Sequence, residues 1–248
     1  MKDRKIICIM ILFLLSSGLN LMAQESANSS GKPISFGVRA GGVFSGFTNH
    51  QEVFTGLRMG LDMGAFVEYK PVSMLGISAE VNYVQEGAFH ANPFLIYPAS
   101  SVNYTTDIFK TSSDIRLHTV QVPLLLNIRA PKISGSVVPK LILGCSFDFI
   151  LNATAQNMYM ISGSSSGNPD LPLTTRGKDN VSSSFQKSNI GAICGVGFDF
   201  AGDKITYMLE ARYKIGLNDI NNMGGLNTLN SQYNFSVNTF SVTLGIGF

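Results

Sequence analysis

Nine charged side chains carry the chemistry this sequence offers: Arg39, Arg58, Asp62, Glu80, Lys140, Asp148, Asp199, Glu210 and Arg212. Each alternates with apolar or small neighbours, and in an extended chain successive side chains point to opposite faces. Charges of both signs enclosed on one face must pair, because an unpaired ion held out of water is costly. The expected chemistry is therefore a salt-bridged plug. The same residues also admit a second reading, an ion-selective pore.

Other reactive groups are few. His50 and His90 fall in connecting segments and His118 near the end of an alternating run. A membrane-embedded hydrolase would need a nucleophile, a base and an orienting acid within hydrogen-bond reach. His118 is followed by Thr119 and Val120, so a lipid-modifying activity would rest on serines elsewhere. No H-x-x-x-H or H-E-x-x-H spacing occurs, and no catalytic, cofactor-binding or metal residue is assigned. Cys145 and Cys194 fall on the apolar face of neighbouring runs, where they read as small lipid-facing hydrophobes.

The elements that position these groups follow from the spacing of apolar residues. Leu57, Met59, Leu61, Met63, Ala65, Val67 and Tyr69 alternate with Arg58, Gly60, Asp62, Gly64, Phe66 and Glu68. A strand gathers the first set on one face, whereas a helix would scatter it. The same period gives eight strands, near 35–45, 57–69, 75–83, 116–129, 138–151, 189–200, 205–217 and the C-terminus. Short turns near 70–74, 130–137 and 201–204 alternate with long stretches near 46–56, 87–115, 152–188 and 218–236. Short and long connections thus fall on opposite rims, as in transmembrane barrels. The fold expected is all-β: an eight-stranded antiparallel up-and-down transmembrane β-barrel over 35–248, with short periplasmic turns and long extracellular loops.

Alternation alone does not say which face meets lipid. The apolar face is almost free of charge over lengths that let a tilted strand cross a bilayer, and the other face mixes glycines with charges of both signs. Aromatics gather at the strand ends, with Phe36, Tyr69, Phe200, Tyr207 and Phe248 towards one rim and Phe44, Tyr83, Phe149 and Tyr213 towards the other. These are the marks of apolar residues facing outward between two girdles. A secreted lipocalin-like barrel, apolar inside, is the competing reading.

Composition agrees. The 248 residues are 45% hydrophobic and 14% charged, too apolar for disorder. Lys2, Arg4 and Lys5 precede the apolar run Ile6 to Leu15, with Ala23 at a plausible cleavage point. Residues 1–23 thus read as a signal peptide and 24–34 as a periplasmic linker. The signal takes three of the 18 basic residues and one of the 16 acidic ones, leaving a neutral remainder with no nucleic-acid footprint.

Phe36-Gly37-Val38-Arg39-Ala40-Gly41, Val122-Pro123-Leu124-Leu125-Leu126, and Glu210-Ala211-Arg212-Tyr213 with Gly216-Leu217 resemble the PorT-type outer-membrane β-barrel family of Bacteroidetes. The resemblance spans about 35–248. It implies a small barrel in the outer membrane of a Gram-negative bacterium and no catalytic residues. The expected partners are outer-membrane lipid and, through the terminal strand ending in Phe248, the barrel-assembly machinery. The 87–115 and 152–188 stretches are expected to cap the barrel mouth or to bind a partner protein; Phe89, Phe94, Leu95, Ile96, Tyr97, Tyr104 and Phe109 give the first an apolar surface. Ser162-Gly163-Ser164-Ser165-Ser166-Gly167 reads as a flexible, solvated part of the second.

Overall fold

The computed structural model describes residues 34–49, 55–90, 106–131, 136–165, 168–169, 173–202, 205–220 and 235–248. The signal segment, most of the linker, His50, and Phe94, Leu95, Ile96, Tyr97 and Tyr104 lie outside the described residues.

Among the described residues ten strands run in chain order: β1 (Ile34–Asn49), β2 (Thr55–Val72), β3 (Leu75–His90), β4 (Thr106–Arg129), β5 (Val137–Ser165), β6 (Asn168–Pro169), β7 (Leu173–Asn180), β8 (Ser188–Ala201), β9 (Thr206–Gly216) and β10 (Phe235–Gly247). Eight of them close a ring in the order β1-β2-β3-β4-β5-β8-β9-β10, every neighbour antiparallel. Chain ends close it. Gly37 pairs with Gly247, and beyond that Phe248 N–H donates to the Phe36 carbonyl at 2.8 Å. Closure gives each edge a partner, the condition for a sheet in lipid.

The apolar side chains point outward. Leu61, Val81 and Leu244 are 36%, 58% and 67% exposed, whereas Asp62, Glu80 and Arg212 are buried. A soluble barrel would reverse this, so the lipocalin-like reading falls. Phe36, Tyr69, Phe200, Tyr207 and Phe248 lie exposed at the short-turn rim, where Phe200 is cross-strand partner to Tyr207 and the Phe36 and Phe248 rings sit 5.9 Å apart. Phe44, Phe149 and Tyr213 are exposed near the opposite end, while Tyr83 is half-buried.

The long stretches are not loops throughout. β4 begins at Thr106 and β5 runs to Ser165, so the barrel wall continues well past the runs expected near 116–129 and 138–151. Ser162 pairs with Asp107 and Ser164 with Pro169, so Ser162 to Ser165 continue β5 where a flexible stretch was expected; Ser166 and Gly167 lie outside the described residues. β7 then folds back along β5, from Ile161↔Leu173 to Thr154↔Asn180.

A bulge explains why the apolar signal fades there. His118 pairs with Asn152 and Thr119 with Ile150, so Leu151 is an extra residue on β5. Such an insertion reverses the facing of everything beyond it. Phe147 and Phe149 point outward below the bulge; Ala153 and Ala155, of the same parity, are fully buried above it. They join Ile115, Leu117, Val181, Phe185, Ile220 and Val237 in an apolar cluster. Beyond the bulge, therefore, the wall is apolar inside and polar outside.

Candidate functional site

Most charged residues of the polar face converge inside the ring. Towards the short-turn rim Arg129 Nη2 lies 2.7 and 2.8 Å from the two carboxylate oxygens of Glu68, and its Nε lies 3.0 Å from Asp199 Oδ2. Asp199 Oδ1 meets Lys140 Nζ at 2.6 Å, and Lys140 meets Glu210 Oε1 at 2.6 Å. Glu210 passes the chain to Arg212 at 2.6 Å. Arg212 and Arg39 both hold Glu80, and Arg39 also binds Asp62 at 3.0 Å and the Thr243 hydroxyl. Seven of the nine expected residues thus form one continuous ion-pair network.

A second level lies beyond it. Lys214 Nζ sits 2.6 Å from Glu86 Oε1 and 2.7 Å from Asp148 Oδ2. Glu86 also accepts from Gln121 Nε2 at 2.8 Å and from the Thr239 hydroxyl at 2.7 Å. Asp148 therefore belongs to the lumen, but with Lys214 rather than with the larger network. Shared charge-assisted contacts of this kind are what make burying so many ions tolerable.

Arg58 departs from the expected set. Its Nε donates to Asp114 at 2.8 Å, towards the long-strand end, and it pairs with none of the others among the described residues. Gly87 makes room for it. There φ is +149°, and an added Cβ would lie 2.0 Å from the Ile115 carbonyl oxygen and 3.1 Å from Arg58 Cδ. Its backbone N–H and carbonyl are both taken by the Ser45 hydroxyl.

Glu68, Glu86, Arg129 and Lys214 are network members that the sequence reading did not assign. Parity would have found all four: Glu68 lies in step with Asp62, Glu86 with Glu80, Lys214 with Arg212, and Arg129 opposite the apolar face that ends in Ile128. Their positions at the ends of the alternating runs hid them. Gly76 serves the network by absence of a side chain, since a Cβ would lie 2.4 Å from Glu68 Oε1.

Little space remains among these groups. Asp62 and Asn82, each with a side-chain oxygen that no protein donor reaches, line a cavity of about 20 Å³. That volume accommodates a water molecule rather than a solute. Beside it Leu125, Ile142 and Ile193 form an apolar contact within the ring, and the larger cluster with Ile115 and Phe185 closes over the far end.

The remaining candidates do not assemble chemistry. His118 lies on the outer wall with Nδ1 hydrogen-bonded to the Tyr83 hydroxyl, and among the described residues no serine reaches it. Gly163 to Gly167 fits the G-x-S-x-G letters, but Gly163–Ser165 are strand, whereas a nucleophile elbow needs a strand-to-helix turn. Cys145 pairs with Ala192 and Cys194 with Leu143, out of register with each other, and no disulfide joins them. Among the described residues no group of three or more His, Cys, Asp and Glu could hold a metal.

A family model described as "Outer membrane protein beta-barrel domain" matches residues 22–222. No curated protein matches the chain. Solved structures similar to it include Neisserial surface protein A (14% identity, TM-score 0.41, covering 86% of this chain and 95% of that one). Ail, the attachment invasion locus protein of Yersinia pestis, is 13% identical with a TM-score of 0.39, over 88% of this chain and 100% of its own. The outer membrane protease OmpT of Escherichia coli is 8% identical with a TM-score of 0.41, over 90% and 99%.

Proposed function

The chain belongs to the outer membrane protein beta-barrel domain family, and from that premise we propose a non-enzymatic outer-membrane protein with a lumen closed to solutes. On this reading the short turns face the periplasm, and the far end of the barrel presents an interaction platform to the exterior. Residues 1–23 would direct export and be removed. The observation that carries the closed lumen is the ion-pair chain from Glu68 through Arg129, Asp199, Lys140 and Glu210 to Arg212 and Glu80, which spans the ring. Eight strands leave an interior just wide enough for side chains to fill, and here charged side chains fill it below an apolar cap. The platform reading is supported by the extended β4, β5 and β7, a folded wall beyond the membrane band rather than loose loops.

Planar-bilayer recording on the purified protein tests the closure. Silence, or rare brief events, is the expected result. Steady conductance from single molecules would make the protein a narrow pore and end the proposal.

A further inference from the structure

The outer wall changes character sharply on one side of the barrel. Along β4 the outward residues Ile128, Leu126, Leu124, Val122 and Val120 give way at once to His118, Arg116 and Asp114. Register places Arg116 beside Thr154 and then Asn180, and Asp114 beside Gln156 and then Lys178, on the same face. Asp114 is engaged by Arg58. Arg116 and Lys178 have no ion-pair partner among the described residues. Elsewhere around the ring Ser188, Asn238 and Thr48 stand uncharged just beyond the band, while Lys187 is exposed beside Ser188 and Asp219 follows the outward face of β9.

His118 sits where the band ends. The Tyr83 hydroxyl lies against its Nδ1 and within 3.5 Å of Gln85 Nε2. The Gln85 amide nitrogen donates to the hydroxyl, and in the tautomer where that hydroxyl donates onward to Nδ1 the neutral ring carries its proton on Nε2. Burial, followed by the positive fields of Arg116, Arg58 and Lys178, holds this imidazole below its ordinary range. Arg116 and Lys178, with Arg58 neutralised by Asp114, leave a spot of positive potential open to the side of the barrel.

We infer that Arg116, Lys178 and the Nε2–H of His118 form a docking site on the barrel wall for the phosphate of an outer-leaflet glycolipid. A membrane lipid is the occupant that fits both halves of this wall. Acyl chains lie along Val120, Val122 and Leu124, and the phosphate then falls at the depth of the cations. Guanidinium and ammonium donors form short, charge-assisted bonds to phosphate oxygens, and an imidazole N–H adds a third direction. The inference rests on the outward orientation proposed above.

The test uses the purified full barrel in lipid nanodiscs containing lipid A, or the same lipid stripped of phosphate. Native mass spectrometry counts retained glycolipid, and ring NMR follows the His118 titration. Phosphorylated lipid is expected to be retained about tenfold better than the stripped form, and to raise the His118 pKa, since an anion that favours the charged ring must be favoured by it. The double variant Arg116→Gln/Lys178→Gln should abolish both effects while keeping the heat-dependent gel shift of a folded barrel; Lys70→Gln at the opposite rim should abolish neither. Equal retention of the two lipids, or a double variant that behaves like the parent, would overturn the site. So would complete displacement by millimolar inorganic phosphate, which would mark a free-anion site. Orientation is read separately: Lys187→Cys should react with a membrane-impermeant maleimide on intact cells. Failure there removes the outward reading itself, whatever the nanodiscs show.

Discussion

Arg212 on β9 and Glu80 on β3 share two parallel hydrogen bonds of 2.8 Å each, although 132 residues separate them in sequence. In the ring β3 and β9 are four strands apart in both directions, so this pair ties opposite walls together. A bidentate fork of this kind fixes both distance and angle.

Breaking that tie from one side should be costly. Arg212→Met leaves Glu80 and Glu210 short of their main partner, and the cost expected for an uncompensated buried charge is about 3–5 kcal/mol. The double variant Arg212→Met/Glu80→Met should recover part of the loss, because it removes both ions. Urea unfolding from lipid vesicles measures each. A double variant no better than Arg212→Met would show that the two charges are not coupled.

Lipid contact is tested at Leu244, 67% exposed and midway along the outward residues of β10. Leu244→Lys should destabilise the barrel in vesicles by about 2–4 kcal/mol, the penalty for a cation near the bilayer midplane. A change near zero would place this face in water.

Gly87→Ala should be disproportionately harmful for the addition of one methyl. The residue adopts φ +149°, and the new Cβ would collide with the Ile115 carbonyl. Enforced strain of that kind costs roughly 1–3 kcal/mol, read as a lower melting temperature in the gel-mobility assay. Ser45→Ala, which removes only the hydrogen bonds to Gly87, should cost less.

Cys194, exposed on the outward face of β8, should react in the bilayer with an apolar maleimide and resist a water-soluble one. Oxidation should not join it to Cys145, which lies opposite Ala192. An oxidised band on a gel, or labelling from water, would contradict the register or the facing of these strands.

The barrel was legible in the sequence wherever one face met lipid. From Leu57 to Tyr69 the contrast between Leu61 and Asp62 is unambiguous, and the observed exposure follows it residue by residue. Seven of the network's members could likewise be read from their parity. What the pattern hid lies where its premise changes. Above the bulge, Ala153 and Ala155 are small and Thr154 and Gln156 uncharged, so the alternation loses amplitude just as its sense reverses. Arg58 was misplaced for a related reason: parity gives the face of its Cα, whereas its long side chain travels past Gly87 to Asp114. His118 gave no sign of its neighbours, because Lys178 reaches it only through the fold-back of β7, a long-range pairing that no local period encodes.

The extra residue at Leu151 gives this wall a point of slack. Excising it would set Ile150, which faces in, directly before Asn152, which faces out, an unbroken alternation that keeps Ala153 and Ala155 in the lid. Substitutions in this stretch change one contact at a time, and loss of the bulged residue removes a kink without exchanging any lining. The storey beyond the bulge can therefore lose this one residue and keep both its inner and its outer lining.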